Sequence, residues 1–251
     1  MLISNPQGHY HFLKGIGPYS CGVIADPKYE IVRVTLRRSL PWRQGFEFID
    51  DHLSQQGLSR AAFCGAELRS PAPASFAGFA AFNNDYCSVL RDWDLFLGDL
   101  NPVARTNVAP ANESHSQVEL FAFSYAIGTG DAVQPTFIIA GAGEVRDGIL
   151  EQQSIVRLAE TDQEAMREKA SYVMGVMEQR LDGLGTRWDL VNAIDVYTVH
   201  TVEGLVGETI LNRLGPARRH GLHYHKAHPP VLDIEFEMDM RGVRSQILHL
   251  G

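Results

Sequence analysis

Arg105 and Glu119 are the two residues whose types and spacing most directly suggest chemistry. Arg105 lies in Asn101-Pro-Val-Ala-Arg-Thr-Asn-Val108, just before a short β-type run. Glu119 follows fourteen positions later, in a second such run, Gln117-Val-Glu-Leu-Phe-Ala-Phe-Ser124. A fixed guanidinium can hold a carboxylate through two parallel hydrogen bonds. A carboxylate beside it can orient or activate a water. The pair would suit a small acidic molecule, while spacing alone is equally compatible with an ordinary strand-end ion pair.

Three other groups of residues could carry chemistry. His220, His223, His225 and His228 form a histidine cluster. An H-x-H pair on a strand puts both rings on one face and can bind zinc, but no clear third or fourth ligand accompanies it. A histidine facing an acidic ligand is the other use of such a ring. Gly141-x-Gly143 lacks the third glycine and the helix opening of a nucleotide-binding loop. Cys21, Cys64 and Cys87 are odd in number and show no CxxC spacing, which argues against a disulfide framework or a cysteine metal site. Neither metal nor cofactor is expected.

The chain of 251 residues is 45% hydrophobic and 21% charged, enough to bury a core without staples. A net charge of −8 disfavours nucleic acid and anionic membranes as partners. The first residues carry no basic, apolar leader, and no run approaches a membrane span. The expected setting is cytoplasmic, with a small-molecule carboxylate as the partner.

Several elements must position these residues. Trp42, Phe46, Ile49 and Leu53 recur at helical spacing within Ser39–Gly57. Phe76, Phe79, Ala80, Asn83, Tyr86 and Leu90 mark a second helix over Ser75–Leu90, whose aromatic stripe is expected to be core. Met166, Ala170, Val173, Met174, Met177 and Leu181 mark a third over Thr161–Gly183. Strands are expected at Tyr19–Ala25, Tyr29–Arg37, Arg60–Leu68, Pro135–Glu144, Leu190–Val199 and Val231–Met240. In the last, Asp233, Glu235, Glu237 and Asp239 alternate with apolar residues and are expected on a wet face. Both halves read strands, helix, strand, helix, Arg, acidic strand, and Arg218 to Asp233 spans fifteen positions. The expectation is an internal duplication with domains 1–130 and 131–251, joined near Gly128-Thr-Gly-Asp131.

Gly15-Ile-Gly-Pro-Tyr-Ser20, Ala104-Arg-Thr-Asn-Val108 and Val118-Glu-Leu120 resemble motifs of the RidA/YjgF family of reactive-intermediate deaminases. Phe137–Gly143 and Leu184–Val191 resemble further parts of the same family domain, so the likeness spans nearly the whole chain as two copies. The resemblance implies an α+β fold of two tandem chorismate-mutase-like (RidA-type) domains, each a mixed or antiparallel sheet with two helices on one face. It also implies a homo-oligomer, a trimer or a multiple of it. By resemblance, Arg105 grips the substrate carboxylate, Glu119 orients the hydrolytic water and Tyr19 lines the cleft. Arg218 and Asp233 hold the corresponding places in the second copy, Gly141 leaves room for ligand, and His223 is a candidate for a second carboxylate. Two-domain members resemble deaminases of 2-aminomuconate-type enamines in aromatic-amine breakdown, with a 2-oxo diacid and ammonia as products. A general 2-imino acid deaminase, or a non-enzymatic small-acid-binding module, are the alternatives.

Overall fold

Helical periodicity translates directly into packing. The computed structural model describes residues 1–113, 115–131, 134–146 and 151–250. Helix α1 (Trp42–Gln55) buries Trp42, Phe46, Ile49 and Leu53, the stripe expected from spacing. The Phe46 ring packs edge-on against Trp42, Phe63, Tyr86 and Trp93. Helix α2 (Phe76–Asp92) starts where the Ser75 hydroxyl accepts from the Gly78 N–H at 3.1 Å. Helix α3 (Gln163–Gly183) is capped by Asp162, whose carboxylate accepts from the Glu164 and Ala165 N–H groups.

Twelve strands complete the chain. They are β1 (Leu2–Asn5), β2 (Tyr10–Leu13), β3 (Gly22–Ala25), β4 (Tyr29–Pro41), β5 (Phe63–Arg69), β6 (Ala104–Pro110), β7 (Glu119–Gly128), β8 (Phe137–Gly143), β9 (Ala193–Thr198), β10 (His223–His228), β11 (Glu237–Gly242) and β12 (Ser245–His249). They lie in one mixed sheet in the order β1-β2-β3-β8-β11-β9-β10-β6-β5-β7-β4-β12.

This order overturns the expectation of two tandem RidA-type domains. Strand β3, from the start of the chain, pairs with β8, and β12, from its end, pairs with β4 in parallel. Each part of the sheet is thus extended by strands from the opposite end of the chain. In the sheet order, Ala227↔Pro110 and His228↔Ala109 join the two parts between β10 and β6, and the isolated bridges Ser20↔Ala104 and Ala74↔Val231 link them further. The physical reason is the sheet-edge rule: an unpaired edge strand offers free N–H and C=O groups, and here the chain ends help extend each part. A separate half-domain would lose those pairings.

The sheet carries cores on both faces. Helix α3 packs over Phe137, Ile139, Ile194, Met238 and Met240. Helices α1 and α2 pack over Val34, Phe63, Leu68, Leu120 and Phe123. Tyr10, Phe12, Val23, Ile31, Cys64, Ala104, Ala126 and Ala140 form a third cluster that draws on both parts of the sheet. So the sheet folds on itself with its helices outside.

The last strand differs from expectation. Residues 231–236 form a turn and extended segment in which Asp233 adopts φ of 69°, and β11 begins at Glu237. Of the acidic face, Asp233 is exposed and Glu235 half-buried, but Glu237 and Asp239 are not wet, at 5% and 4% exposed. The Arg33–Glu67 pair of β4 and β5 lies close enough to act on Asp239 and Asp195, so the two sheet parts cover this face with polar groups of their own. The sequence also suggests a short helix over Val202–Leu214, and the structure places helical turns there, a π-helical one at Val206–Ile210 and a 3-10 one at Leu211–Arg213.

Fragments 1–130 and 131–251 expressed separately should each lack a cooperative thermal transition, while the intact chain melts in one. Two fragments that each fold and melt independently would contradict the strand exchange.

Candidate active site

A guanidinium buried without a carboxylate is costly unless something compensates it. Arg105, on β6, is 3% exposed. Its Nη2 donates to Asn83 Oδ1 of α2 at 2.7 Å. Its Nη1 has no hydrogen-bond partner. The cation lies against the rings of Tyr86 and Tyr19, at 4.7 and 4.9 Å, with Phe79 and Phe82 farther out. Burial pulls its pKa below the ordinary arginine value, and the two tyrosines work against that. The expected aromatic stripe of α2 is therefore both core and the seat of this cation.

Arg105 lines a cavity of about 730 Å³, within the range of small-molecule sites. Tyr19, Cys21, Gly141, Arg180 and Glu237 line it as well, with an apolar wall of Phe79, Val145, Val231 and Ile234. The structure brings together Arg105, Tyr19 and Gly141 of the sequence-derived candidates. Gly141 is required by close approach: a Cβ there would collide with Oε1 of Glu237, and it would press on Thr106. The Gly141 N–H donates to Thr106 Oγ1 at 3.0 Å, which locks β8 against β6 at the cavity floor.

Glu119 is elsewhere. Arg105 lies opposite Ala66, and Ala66 opposite Phe123, across β6, β5 and β7. Glu119 is four residues along β7 from Phe123, so about 13 Å of strand separates it from that position at ~3.3 Å per residue. Its carboxylate pairs with His115 Nδ1 at 3.0 Å. Arg218 is exposed on a tight turn. Exposed Asp233 accepts from Gln152 Nε2 at 2.9 Å. His223 sits on β10, 3.4 Å from the Asp195 carboxylate, beside His225 at 2.7 Å. None of these four residues lines the cavity. Among the described residues no three His, Cys, Asp or Glu side chains are grouped to hold a metal ion.

Two cavity residues escaped the sequence reading. Glu237 is the first residue of β11, opposite Tyr197 of β9 and Gly143 of β8. Burial, then the charge of Asp239, pushes its carboxyl well above the usual carboxylate range, while Arg180 and Arg105 pull the other way. The cavity environment therefore favours the acid form of Glu237. Arg180, on α3, is half-buried and donates from Nη1 to the carbonyls of Ala140 and Gly141, at 2.8 and 3.3 Å. Exposed Lys14 lines the cavity too. The signal for Arg180 was present: Gly175 and Gly183 leave a bare face on α3, and that face turns toward the cavity.

A second polar layer backs the site. Arg241 pairs with Asp195, and the Tyr197 hydroxyl donates to Asp239 at 3.0 Å. Burial and the charges of Asp195 and Glu67 raise Asp239 to about 7. Burial pushes Asp195 up as well, but hydrogen bonds from His225 and Arg241, with their charges, outweigh it and hold it low. The arrangement thus pushes the acid in the cavity toward its neutral form while holding Asp195 behind it ionised.

Arg105→Met should weaken binding of a small dicarboxylate by about 2–5 kcal/mol, the cost of removing one partner of a buried charge pair. Thermal stability should hold or rise, because the variant removes an uncompensated buried charge. Calorimetric titration and thermal melting check both, and unchanged dicarboxylate affinity would contradict the site.

Comparisons with known proteins fit this geometry to a family. The model of the family described as 2-aminomuconate deaminase CnbZ matches residues 2–247. A 2-amino-5-chloromuconate deaminase from Comamonas testosteroni is 37% identical over 250 residues, covering 98% of each chain. Among solved structures, a chorismatase aligns with a TM-score of 0.46 at 13% identity, covering 89% of this chain and 77% of its own. A cyanuric acid hydrolase aligns with a TM-score of 0.41 at 11% identity, covering 88% and 70%. Full-length coverage by the family model, together with the level of identity to the Comamonas enzyme, places this chain in the 2-aminomuconate deaminase family.

Proposed function

We propose that the cavity binds a 2-aminomuconate-type dianion and deaminates it hydrolytically. The observation that carries this reading is a buried guanidinium without a carboxylate partner, Arg105, facing the same cavity as Glu237, a buried carboxyl pushed well above the usual carboxylate range. Arg180, with Lys14 beside it, supplies the second cation that a six-carbon diacid needs. A simple 2-imino acid would leave that cation unused, so the diacid is favoured over the general imino acid reading.

The chemistry follows from the groups present. Arg105 holds the carboxylate next to the amino-bearing carbon. Glu237 gives its proton to an enamine carbon, and the nitrogen lone pair moves in to form an iminium. The resulting Glu237 carboxylate then takes a proton from water as the water oxygen bonds to the iminium carbon. Glu237, protonated again by that water, passes the proton to the amino nitrogen, the C–N bond of the adduct breaks as ammonia leaves, and the hydroxyl proton returns to Glu237 as the C=O bond forms. The balance is one enamine diacid plus one water to one 2-oxo diacid plus one ammonia. The Arg105 and Tyr19 roles draw on the RidA/YjgF-like motifs at residues 15–20 and 104–108, and Gly141 keeps the room Glu237 occupies. A homo-oligomer, trimer or multiple, in the cytoplasm belongs to the same proposal. Among the described residues no helix is long and apolar enough to cross a membrane.

Ammonia release from freshly generated 2-aminomuconate tests the reading. Glu237→Gln should lower kcat by about 10²–10⁴-fold, the usual contribution of general acid–base catalysis. Glu119→Gln should stay near wild type. The acid form of Glu237 is needed first, so wild-type kcat should fall as pH rises through its elevated pKa. No ammonia from wild type, or equal rates for Glu237→Gln, would refute the proposal.

A further inference from the structure

Behind the cavity lies an ion pair that the chemistry above does not use. Lys169 of α3 and Glu144, the residue after β8, both have side chains with 0% exposure and meet at 3.0 Å. The Glu144 carboxylate is fully engaged. Oε1 accepts from Lys169 and from the Glu235 N–H at 2.7 Å, and Oε2 accepts from the Phe236 N–H at 3.0 Å. Lys169 also donates to the Val156 carbonyl at 2.9 Å.

The place of these bonds gives them meaning. The β8–β11 ladder has its last rung at Gly143↔Glu237. Beyond it the N–H groups of residues 235 and 236 have no strand carbonyl to reach in that ladder, and a side-chain carboxylate takes both. Those two residues immediately precede Glu237, at the end of the segment that brings Val231 and Ile234 to the cavity wall. Fold stability alone does not call for two ions here, since an apolar pair of similar volume commonly packs as well or better. A carboxylate with two convergent acceptors does what an apolar group cannot, which is to fix the path of the backbone on which Glu237 stands.

We propose that Glu144, paired with Lys169, is a positioning residue that fixes the Glu237 carboxyl in the cavity. The proposal rests on the reading of Glu237 as the acid–base group. Burial raises the Glu144 carboxyl, Lys169 and the Glu235 N–H pull it back down, and an ionised Glu144 disfavours a second carboxylate at Glu237. The other groups facing Glu237 are Asp239 on its own strand, Tyr197 across from it on β9, Arg180 on α3, Arg105 on β6 and Tyr19 in the segment before β3. All of them are untouched by changes at Glu144 and Lys169.

The test is Glu144→Gln/Lys169→Met, which removes both buried charges together, assayed on the full chain for ammonia release across pH. Thermal melting should find it folded. Its kcat should fall about 100-fold, the scale of a misplacement near 1 Å. Its KM should stay within about threefold, since Arg105 and Arg180 still hold the substrate. The alkaline limb of its kcat–pH profile should move to lower pH. Wild-type kcat with an unmoved limb, or a rise confined to KM, would overturn the positioning role. If the double variant does not fold, Glu144→Asp carries the test. It keeps the charge but is one methylene too short to reach both N–H groups, so kcat should fall with the limb in place, and wild-type kcat would overturn the proposal. Glu237→Gln runs alongside. Full activity there would overturn the role of Glu237 and this one with it, whereas an inactive Glu237→Gln beside a fully active double variant overturns positioning alone.

Discussion

A guanidinium buried without a carboxylate is the constraint on which the site depends. Arg105 is taken out of water by β6, α2 and the segment carrying Tyr19, and its only side-chain hydrogen bond among the described residues goes to Asn83. Aromatic faces offset part of the desolvation, but a neutral ring does not replace a counter-ion. The unsatisfied Nη1 is a stability cost left standing beside the cavity. An anionic ligand removes it. The helix stripe that packs α2 and the residues that seat Arg105 are the same, so packing and recognition cannot be altered separately.

The opposite wall handles the converse problem, a carboxyl kept neutral. Glu237 and Asp239 share one face of β11 two residues apart, and Asp195 lies opposite Asp239 on β9. Three acids on one buried face cannot all ionise cheaply. Arg241 and His225 settle the charge on Asp195, while Asp239 rises to about 7 and Glu237 is raised well above the usual carboxylate range. The acid in the cavity is thus pushed toward its neutral form by burial first and by the charge of Asp239 next. Gly141 gives that side chain its space, and the Lys169–Glu144 pair lies where the strand ladder ends behind it.

Local information carried much of this. The three helices and their buried faces follow from spacing, because a helix satisfies its own backbone and needs only one apolar stripe. Arg105, Tyr19 and Gly141 stood out in sequence through compact motifs, and the cavity brings them together. The strands were harder, because their partners are set by contacts far apart in the chain. The duplication pattern did not reveal that β12 would return to β4, or that β3 would join β8. The choice between Glu119 and Glu237 turned on the same point. Both are acids at the first position of a strand, and only the pairing of β11 beside β8 brings Glu237 to the cavity. The positive φ at Asp233 also breaks the continuous strand on which the matched spacing relied.

The central claim is that the Glu237 carboxyl keeps its proton above the pH range in which ordinary carboxyls lose theirs. Isotope-edited infrared difference spectroscopy reads it directly, with carboxyl-labelled glutamate in wild type and Glu237→Gln. The account predicts a protonated-carboxyl band in the wild type that is absent from Glu237→Gln and persists above the pH at which the other glutamates have ionised. A wild-type spectrum with only ionised carboxylate at that position would contradict it.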